Sequence, residues 1–182
     1  MPKPMKVIQL GNLILRRRAE SLGSVDMCSK KTRTLVRRML ATIKAQQAVG
    51  LAAPQVGAPV RIIIIASRPT AAYPDAPKVE PIVMMNPFII ARSHSENEGW
   101  EGCASIPGIR GRVLRNDFMK VRFFNAAGRP DETELEGFLA RIFQHEFDHL
   151  EATVFTDRAI PASFMTEREY QKMMKSEPKR KK

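Results

Sequence analysis

The chain has 182 residues, 43% of them apolar, with two cysteines and a formal net charge of +11. That length suits one compact domain, and that composition excludes a disordered chain. No apolar run approaches the roughly 20 residues of a membrane-spanning helix, and two cysteines are too few for a secreted disulfide scaffold.

The positive excess favours polyanions, with nucleic acid or the ribosome the obvious candidates. Much of it lies in "LRRRAE", "KKTRTLVRR" and "KSEPKRKK". The opening "MPKPMKVIQL" carries no apolar signal core with a small-residue cleavage site. The expected compartment is therefore the cytoplasm, with no membrane partner.

In chain order, residues 1–22 read as an extended arm and a turn. Residues 30–47 read as an amphipathic helix, with Leu35, Met39, Leu40 and Ile43 at helical spacing and basic residues opposite. "AVGLAAPQVGAPV" is a Gly/Ala/Pro-rich loop. "RIIIIA" (61–66) is a short continuous apolar run, which predicts a buried strand. Residues 67–81 hold four prolines and read as a surface loop. "IVMMNPFII" (82–90) reads as a strand, with Pro87 at a bend or an edge.

"NEGWEGCASIPGIRGRV" reads as a loop flanked by short extended pieces, because its glycines interrupt the pattern. "KVRFFNAAGRP" gives a strand and a turn at Ala127-Gly128. "ETELEG" alternates like a strand, so we place a strand up to 136 and a helix over 138–151. A last helix over "TEREYQKMMKSE" is stopped by Pro178. The order of elements points to an α+β fold rather than an alternating parallel α/β sheet. One catalytic domain is expected over 1–182, with 176–182 a basic, flexible tail.

The second helix carries "QHEFDHL" (144–150). Positions four apart share one helix face, so His145 and His149 can offer two imidazole nitrogens to one metal ion. Glu146 projects beside them and can reach a metal-bound water without being a ligand. The helix is otherwise apolar, and an unpartnered buried polar group costs about 1–3 kcal/mol. Two of the three histidines lie here. A third ligand is required. A downstream carboxylate, Glu167 or Glu169, would make a zinc peptidase. A thiolate from Cys103, in the tight "EGCAS" loop, is the other option. Cys28, in "VDMCSK", has no such surroundings and reads as a spectator.

Three segments together resemble peptide deformylase: "AVGLAAPQVG" (48–57), "EGCAS" (101–105) and "QHEFDHL" (144–150), in the family's order and at its separations. "VIQLGNLILRRRAE" also resembles the family's start, and the resemblance runs over about residues 7 to 160. It implies small mixed or antiparallel sheets around a central helix that carries H-E-x-x-H. It implies a hydrolase that removes the N-formyl group from the initiator methionine of nascent chains. Cys103, His145 and His149 would bind one divalent metal ion, Fe(II) in the cell, with Zn, Ni or Co as substitutes. Glu146 would be the general acid/base. The Gln55 amide and the Ala104 backbone N–H would stabilise the oxyanion. Substrate would be held by Val49, Gly50, Leu51, Glu101, Gly102, Arg115 and Ile142, with Val49 and Ile142 lining the methionine pocket.

The chain departs from the family pattern at Ala48 and Ala152, where glycine is usual, and at Ala104, where leucine is usual. Leu114 replaces a proline beside Arg115. If Ala48 needs a positive φ, its methyl costs stability. These changes leave open a paralogue with altered substrate preference. The basic tail would dock on ribosomal RNA by phosphate contacts, without reading a nucleic-acid sequence. Two other readings stand beside the deformylase: the zinc endopeptidase, and a basic RNA-binding module with a structural metal.

Overall fold

The structure, a computed structural model, describes residues 2–176. An N-terminal arm leads through one short 3-10 turn, Leu13–Arg16, to the first helices. These are α1, Ser24–Met27, and α2, Lys30–Ala45. Short β1, Gly50–Ala52, and β2, Ile62–Ile65, follow, then β3, Ile82–Arg92, and β4, Glu96–Cys103. Next come β5, Ile106–Asn116, β6, Phe118–Phe124, and β7, Pro130–Glu136. The chain continues with α3, Gly137–Leu150, β8, Met165–Thr166, and α4, Glu167–Ser176.

The strands form two antiparallel sheets. One has the order β1-β2-β3-β6-β7 and the other β4-β5-β8. The α+β reading holds. Among the described residues no helix is long and apolar enough to cross a membrane.

The run "IIII" explains itself here. Side chains alternate across a strand. Ile63 and Ile65 pack with Phe143 and Leu150 of α3, while Ile62 and Ile64 pack with Met39 and Ile43 of α2. With a helix on each face, β2 has no polar side, and all four residues are fully buried. Helix α2 begins where the Ser29 hydroxyl accepts from the Thr32 N–H. It stops two residues before the expected 47, and Gln47 turns the chain with φ 52°. Pro87 does mark a bend. The register of β3 slips between Met85 and Phe88, and Asn86 sits at φ 48°. Its side-chain amide clasps both backbone groups of Leu22.

The expected loop over 97–113 is part of a long hairpin over 96–116. β4 and β5 pair from Glu96↔Asn116 to Cys103↔Ile106, with Ala104-Ser105 at the tip. Its glycines do not break the strands, and two of them, Gly99 and Gly102, seat arginines. A Cβ on Gly99 would lie 2.8 Å from the Arg141 guanidinium carbon, and one on Gly102 2.9 Å from Arg110. A strand glycine often marks such a close approach.

Helix α3 lies between the sheets, touching β1, β2 and β7 on one side and β5 on the other. It ends on Ala152, which takes the left-handed φ of 61°. Glycine is the usual residue at such a cap, and the alanine methyl costs about 1 kcal/mol there. Helix α4 sets Tyr170 against Trp100 of β4 at a tilt, with ring centroids 5.5 Å apart. The expected stop at Pro178 and the tail from 177 lie outside the described residues.

Candidate active site

Helix periodicity places Arg141, His145 and Asp148 at i, i+4 and i+7, a stripe facing the β4–β5 hairpin. Ile142, Glu146 and His149 form the neighbouring stripe. The hairpin tip delivers Cys103, whose Sγ lies 3.3 Å from His149 Nε2. One donor atom each from Cys103, His145 and His149 fall within 4.8 Å of one another. The N-terminal arm ties two parts of this corner together. Ile8 N–H donates to the Gln55 carbonyl (2.9 Å) and Leu10 N–H to the Ser105 carbonyl (2.8 Å).

His145 is oriented from behind. Its Nδ1 lies 2.9 Å from Glu101 Oε2, which leaves Nε2 for the donor set. Glu101 also accepts from Arg115 Nε and Nη2, both at 3.0 Å, and from Arg141 Nη1 at 2.9 Å. Arg115 in turn donates to Asp148 Oδ2 at 2.6 Å, and Arg158 closes on the same carboxylate. Burial works to raise the Glu101 carboxyl, but the His145 and Arg115 hydrogen bonds outweigh it and hold it well below the usual carboxylate range. Burial likewise works to raise the Cys103 thiol. The charges of His149 and His145 bring it well below its ordinary value, towards the thiolate a metal takes.

Glu146 lies on the other side of the donor set. It is only 4% exposed, and Gly50 gives it room: a Cβ on Gly50 would stand 2.6 Å from Glu146 Oε1 and 2.8 Å from Ile142. Burial pushes its carboxyl up to about 7, against the pull of His145 and His149. Gln55 is held by its own carbonyl oxygen, which accepts from Ala52 N–H at 2.7 Å. Its Nε2 then points at Cys103 Sγ (3.3 Å) and Ser105 Oγ (3.4 Å).

A divalent ion fits this corner. One sulfur and two imidazoles are a donor set for Zn(II) or Fe(II), three ligands that leave coordination open. Glu146 Oε2 and His149 Nδ1 are buried with no protein partner among the described residues. Glu167 and Glu169 do not join the set: Glu167 pairs with Arg110 at 2.6 Å and Glu169 with Lys172 at 2.8 Å. Cys28 is exposed and stands apart, its Sγ near the Ala127 carbonyl.

Cys103, His145 and Glu146 line one wall of a cleft of about 340 Å³. Val49, Gly50, Glu101, Gly102, Ala104 and Ile142 also face it. Leu51 and Arg115 do not, which corrects their expected place against substrate. Leu51 is 1% exposed in the core beneath α2, on the opposite face of its strand from the cleft. Arg115 is 3% exposed, with its guanidinium taken by Glu101 and Asp148. Glu101 borders the cleft with its carboxylate engaged by three partners. Ala48 lines the cleft without a positive φ; that strain falls on Gln47 instead.

Sequence reasoning missed the far wall. Tyr73 and Phe138 meet there at a tilt, with centroids 5.0 Å apart, and Arg110, Glu167 and Gln171 also line the cleft. Phe138 was legible only as an apolar helix residue. Tyr73 lies in the proline-rich loop, where nothing in the local pattern marks it.

Residues 4–164 match the family model described as polypeptide deformylase. "Peptide deformylase 2" of Nostoc sp. is 41% identical over 174 residues, 95% of this chain and 96% of that protein. "Peptide deformylase 2" of Shewanella oneidensis is 42% identical over 157 residues, 86% of this chain and 85% of its own length. Among solved structures, the Met-Ala-Ser-bound class I type b peptide deformylase of Acinetobacter baumannii superposes with a TM-score of 0.85 at 40% identity. That match covers 87% of this chain and 99% of the other. The Thermotoga maritima peptide deformylase matches with a TM-score of 0.76 at 32% identity, again over 87% and 99%.

Proposed function

The chain belongs to the polypeptide deformylase family, and from that premise we propose which of its residues carry out the removal of the N-formyl group from an N-terminal formylmethionine. The observation that carries the assignment of roles is Glu146. Its carboxylate is buried at the cleft wall, one oxygen without a protein partner, beside the Cys103/His145/His149 donors.

Cys103, His145 and His149 would hold the metal ion on which this family's chemistry depends, Fe(II) in the cell. A bound ion supplies Lewis acidity to the formyl oxygen and acidity to a water. Glu146 takes the proton of the attacking water at its carboxylate oxygen. It then delivers that proton to the departing amine nitrogen, which leaves as the free N-terminus of methionine, with formate as the other product. Gln55 Nε2 and the Ala104 N–H supply preorganised donors for the oxyanion. The amide is preorganised because Ala52 N–H fixes its other end.

Val49 and Ile142 would line the methionine pocket, with Tyr73 and Phe138 as its outer wall. Glu101 and Arg115 act through His145 rather than on substrate. The zinc endopeptidase reading has lost its ligand, because Glu167 is committed to Arg110. We place the protein in the cytoplasm as one catalytic unit, with the basic segment 175–182 docking on ribosomal RNA through phosphates.

The test is formate release from a short N-formyl-Met peptide, by protein loaded anaerobically with Fe(II). Glu146→Gln is expected to lower kcat by about 10²–10⁴-fold while metal content stays at one ion per chain. Undiminished release by a Glu146→Gln protein would remove the acid/base role from this residue.

A further inference from the structure

Most of the exposed arginines and lysines of the two sheets and of α4 have a carboxylate, Arg92 and Lys175 being the exceptions among the described residues. Arg112 pairs with Glu98, Lys120 with Glu134, Arg122 with Glu132, and Lys172 with Glu169. The outer face of α2 is different. Lys30, Lys31, Arg33, Arg37 and Lys44 are exposed there, and none has a carboxylate partner among the described residues. The sequence explains this: no acidic residue occurs between Asp26 and Asp75.

The spacing makes these charges one surface. Arg33, Arg37 and Lys44 follow i, i+4 and i+11, a straight stripe along about 16 Å of helix. Thr34 and Ala41 beside the stripe are too small to hold a partner away, and Leu40, at i+7 within it, is partly buried against the core. The N-terminal arm adds charge on the other flank of the outer face. Arg38 Nε donates to the Lys3 carbonyl at 3.2 Å, and Met5 N–H donates to Thr42 Oγ1 at 2.8 Å. Exposed Lys3 and Lys6 therefore run beside α2. The stripe ends at the cleft, because Gln46 and Gln47, just past α2, line its mouth.

Two polyanions could meet such a stripe, and the core decides between them. A membrane-surface helix needs a free apolar face to insert. The apolar face of α2 is spent: Met39 and Ile43 are buried, and Leu35, Val36 and Leu40 pack on the same core cluster. What remains outside is charge alone, the footprint of a phosphate backbone.

We propose that the outer face of α2, with Lys3 and Lys6, is a docking surface for the phosphate backbone of structured RNA, lying against the mouth of the cleft. Its proposed contacts are to phosphates, which position a partner without reading its sequence. It is separate from the basic tail and goes beyond the deformylase reading.

The experiment measures binding of the full chain to a labelled RNA hairpin over a salt series. A triple variant, Arg33→Gln/Arg37→Gln/Lys44→Gln, is compared with an equal charge loss at paired positions, Arg17→Gln/Lys120→Gln/Arg122→Gln. The α2 variant is expected to bind about tenfold or more weakly, and its slope of log affinity against log salt to flatten by about two to three. The paired-site variant is expected to bind as wild type. Hydrolysis of a short formyl peptide, unchanged in both variants, shows that the fold is kept. Equal losses in the two variants would overturn the proposal, since net charge alone would then explain binding. So would an α2 variant that binds as wild type. Vesicles of anionic lipid form the last arm. Tighter binding to them than to RNA, lost in the α2 variant, would overturn the choice of RNA. The binding arms read whether or not the protein deformylates.

Discussion

Two hairpins of similar length use charge in opposite ways. β6 and β7 pair in regular register from Phe118↔Glu136 to Phe124↔Pro130. They carry Lys120–Glu134 and Arg122–Glu132 as cross-strand pairs on an open face, with all four side chains 39–63% exposed. β4 and β5 instead carry Glu101 and Arg115 into the interior, at 3% exposure each, where Arg141, His145 and Asp148 of α3 meet them. Exposed pairs are screened and contribute little. A buried ion network adds little net stability either, because desolvation offsets the attraction, yet removing one member leaves charges stranded. The difference teaches what the buried set is for. It holds His145 by its Nδ1, so that one nitrogen of a ring on α3 meets a sulfur on a hairpin.

The strongest challenge to that contrast is Glu101→Ala. It strands Arg115 and Arg141 and should cost about 3–5 kcal/mol in urea unfolding. Metal affinity should fall about 10–100-fold as His145 loses its orienting partner. A Glu101→Ala protein that unfolds like wild type and keeps its metal would end the account of this network.

Acid should reveal the same carboxylate. The Glu101 carboxyl is held below its ordinary value of 4.5 in the folded state. Its stabilising contribution is therefore full above that value and drains away as pH falls below it. The wild-type protein should lose stability steeply below about pH 4.5, and Glu101→Gln, which has no proton to take up there, should show a shallower acid limb in denaturation midpoints.

Gly99→Ala tests the seat rather than the charge. The added methyl meets the Arg141 guanidinium, and a loss of about 1–3 kcal/mol is expected in thermal unfolding, with Arg141 displaced from Glu101. The smallest effect belongs to the open hairpin. Lys120→Ala should change stability by less than about 0.5 kcal/mol, at low or high salt. A loss as large as that at Glu101 would erase the distinction between the two hairpins.

The local code made much of this protein legible. "RIIIIA" announced a strand with no polar side, and the structure supplies a helix for each face. "QHEFDHL" set His145, Glu146 and His149 on adjacent stripes, because 3.6 residues per turn is a property of the backbone. The break from strand to helix at Gly137 was visible because alternation of period two gave way to an apolar stripe.

Other features needed the third dimension. The glycines of "EGWEGC" looked like strand breakers, since a local pattern cannot know that Arg141 and Arg110 will lie across Gly99 and Gly102. Arg115 looked like a hand for the peptide, and only burial between Glu101 and Asp148 shows that it holds the site's frame. Leu51 sits in a segment named for substrate but faces the core, because a strand sends alternate side chains to opposite sides. Tyr73 and Phe138 are 65 residues apart in the chain and share one wall of the cleft. The sequence by itself determined what local periodicity and side-chain chemistry can specify: the helices, the buried strands and the donor types. Tertiary structure alone decided which residues face the cleft and which face the core, because that depends on what packs across from each side chain, and those partners are distant in sequence.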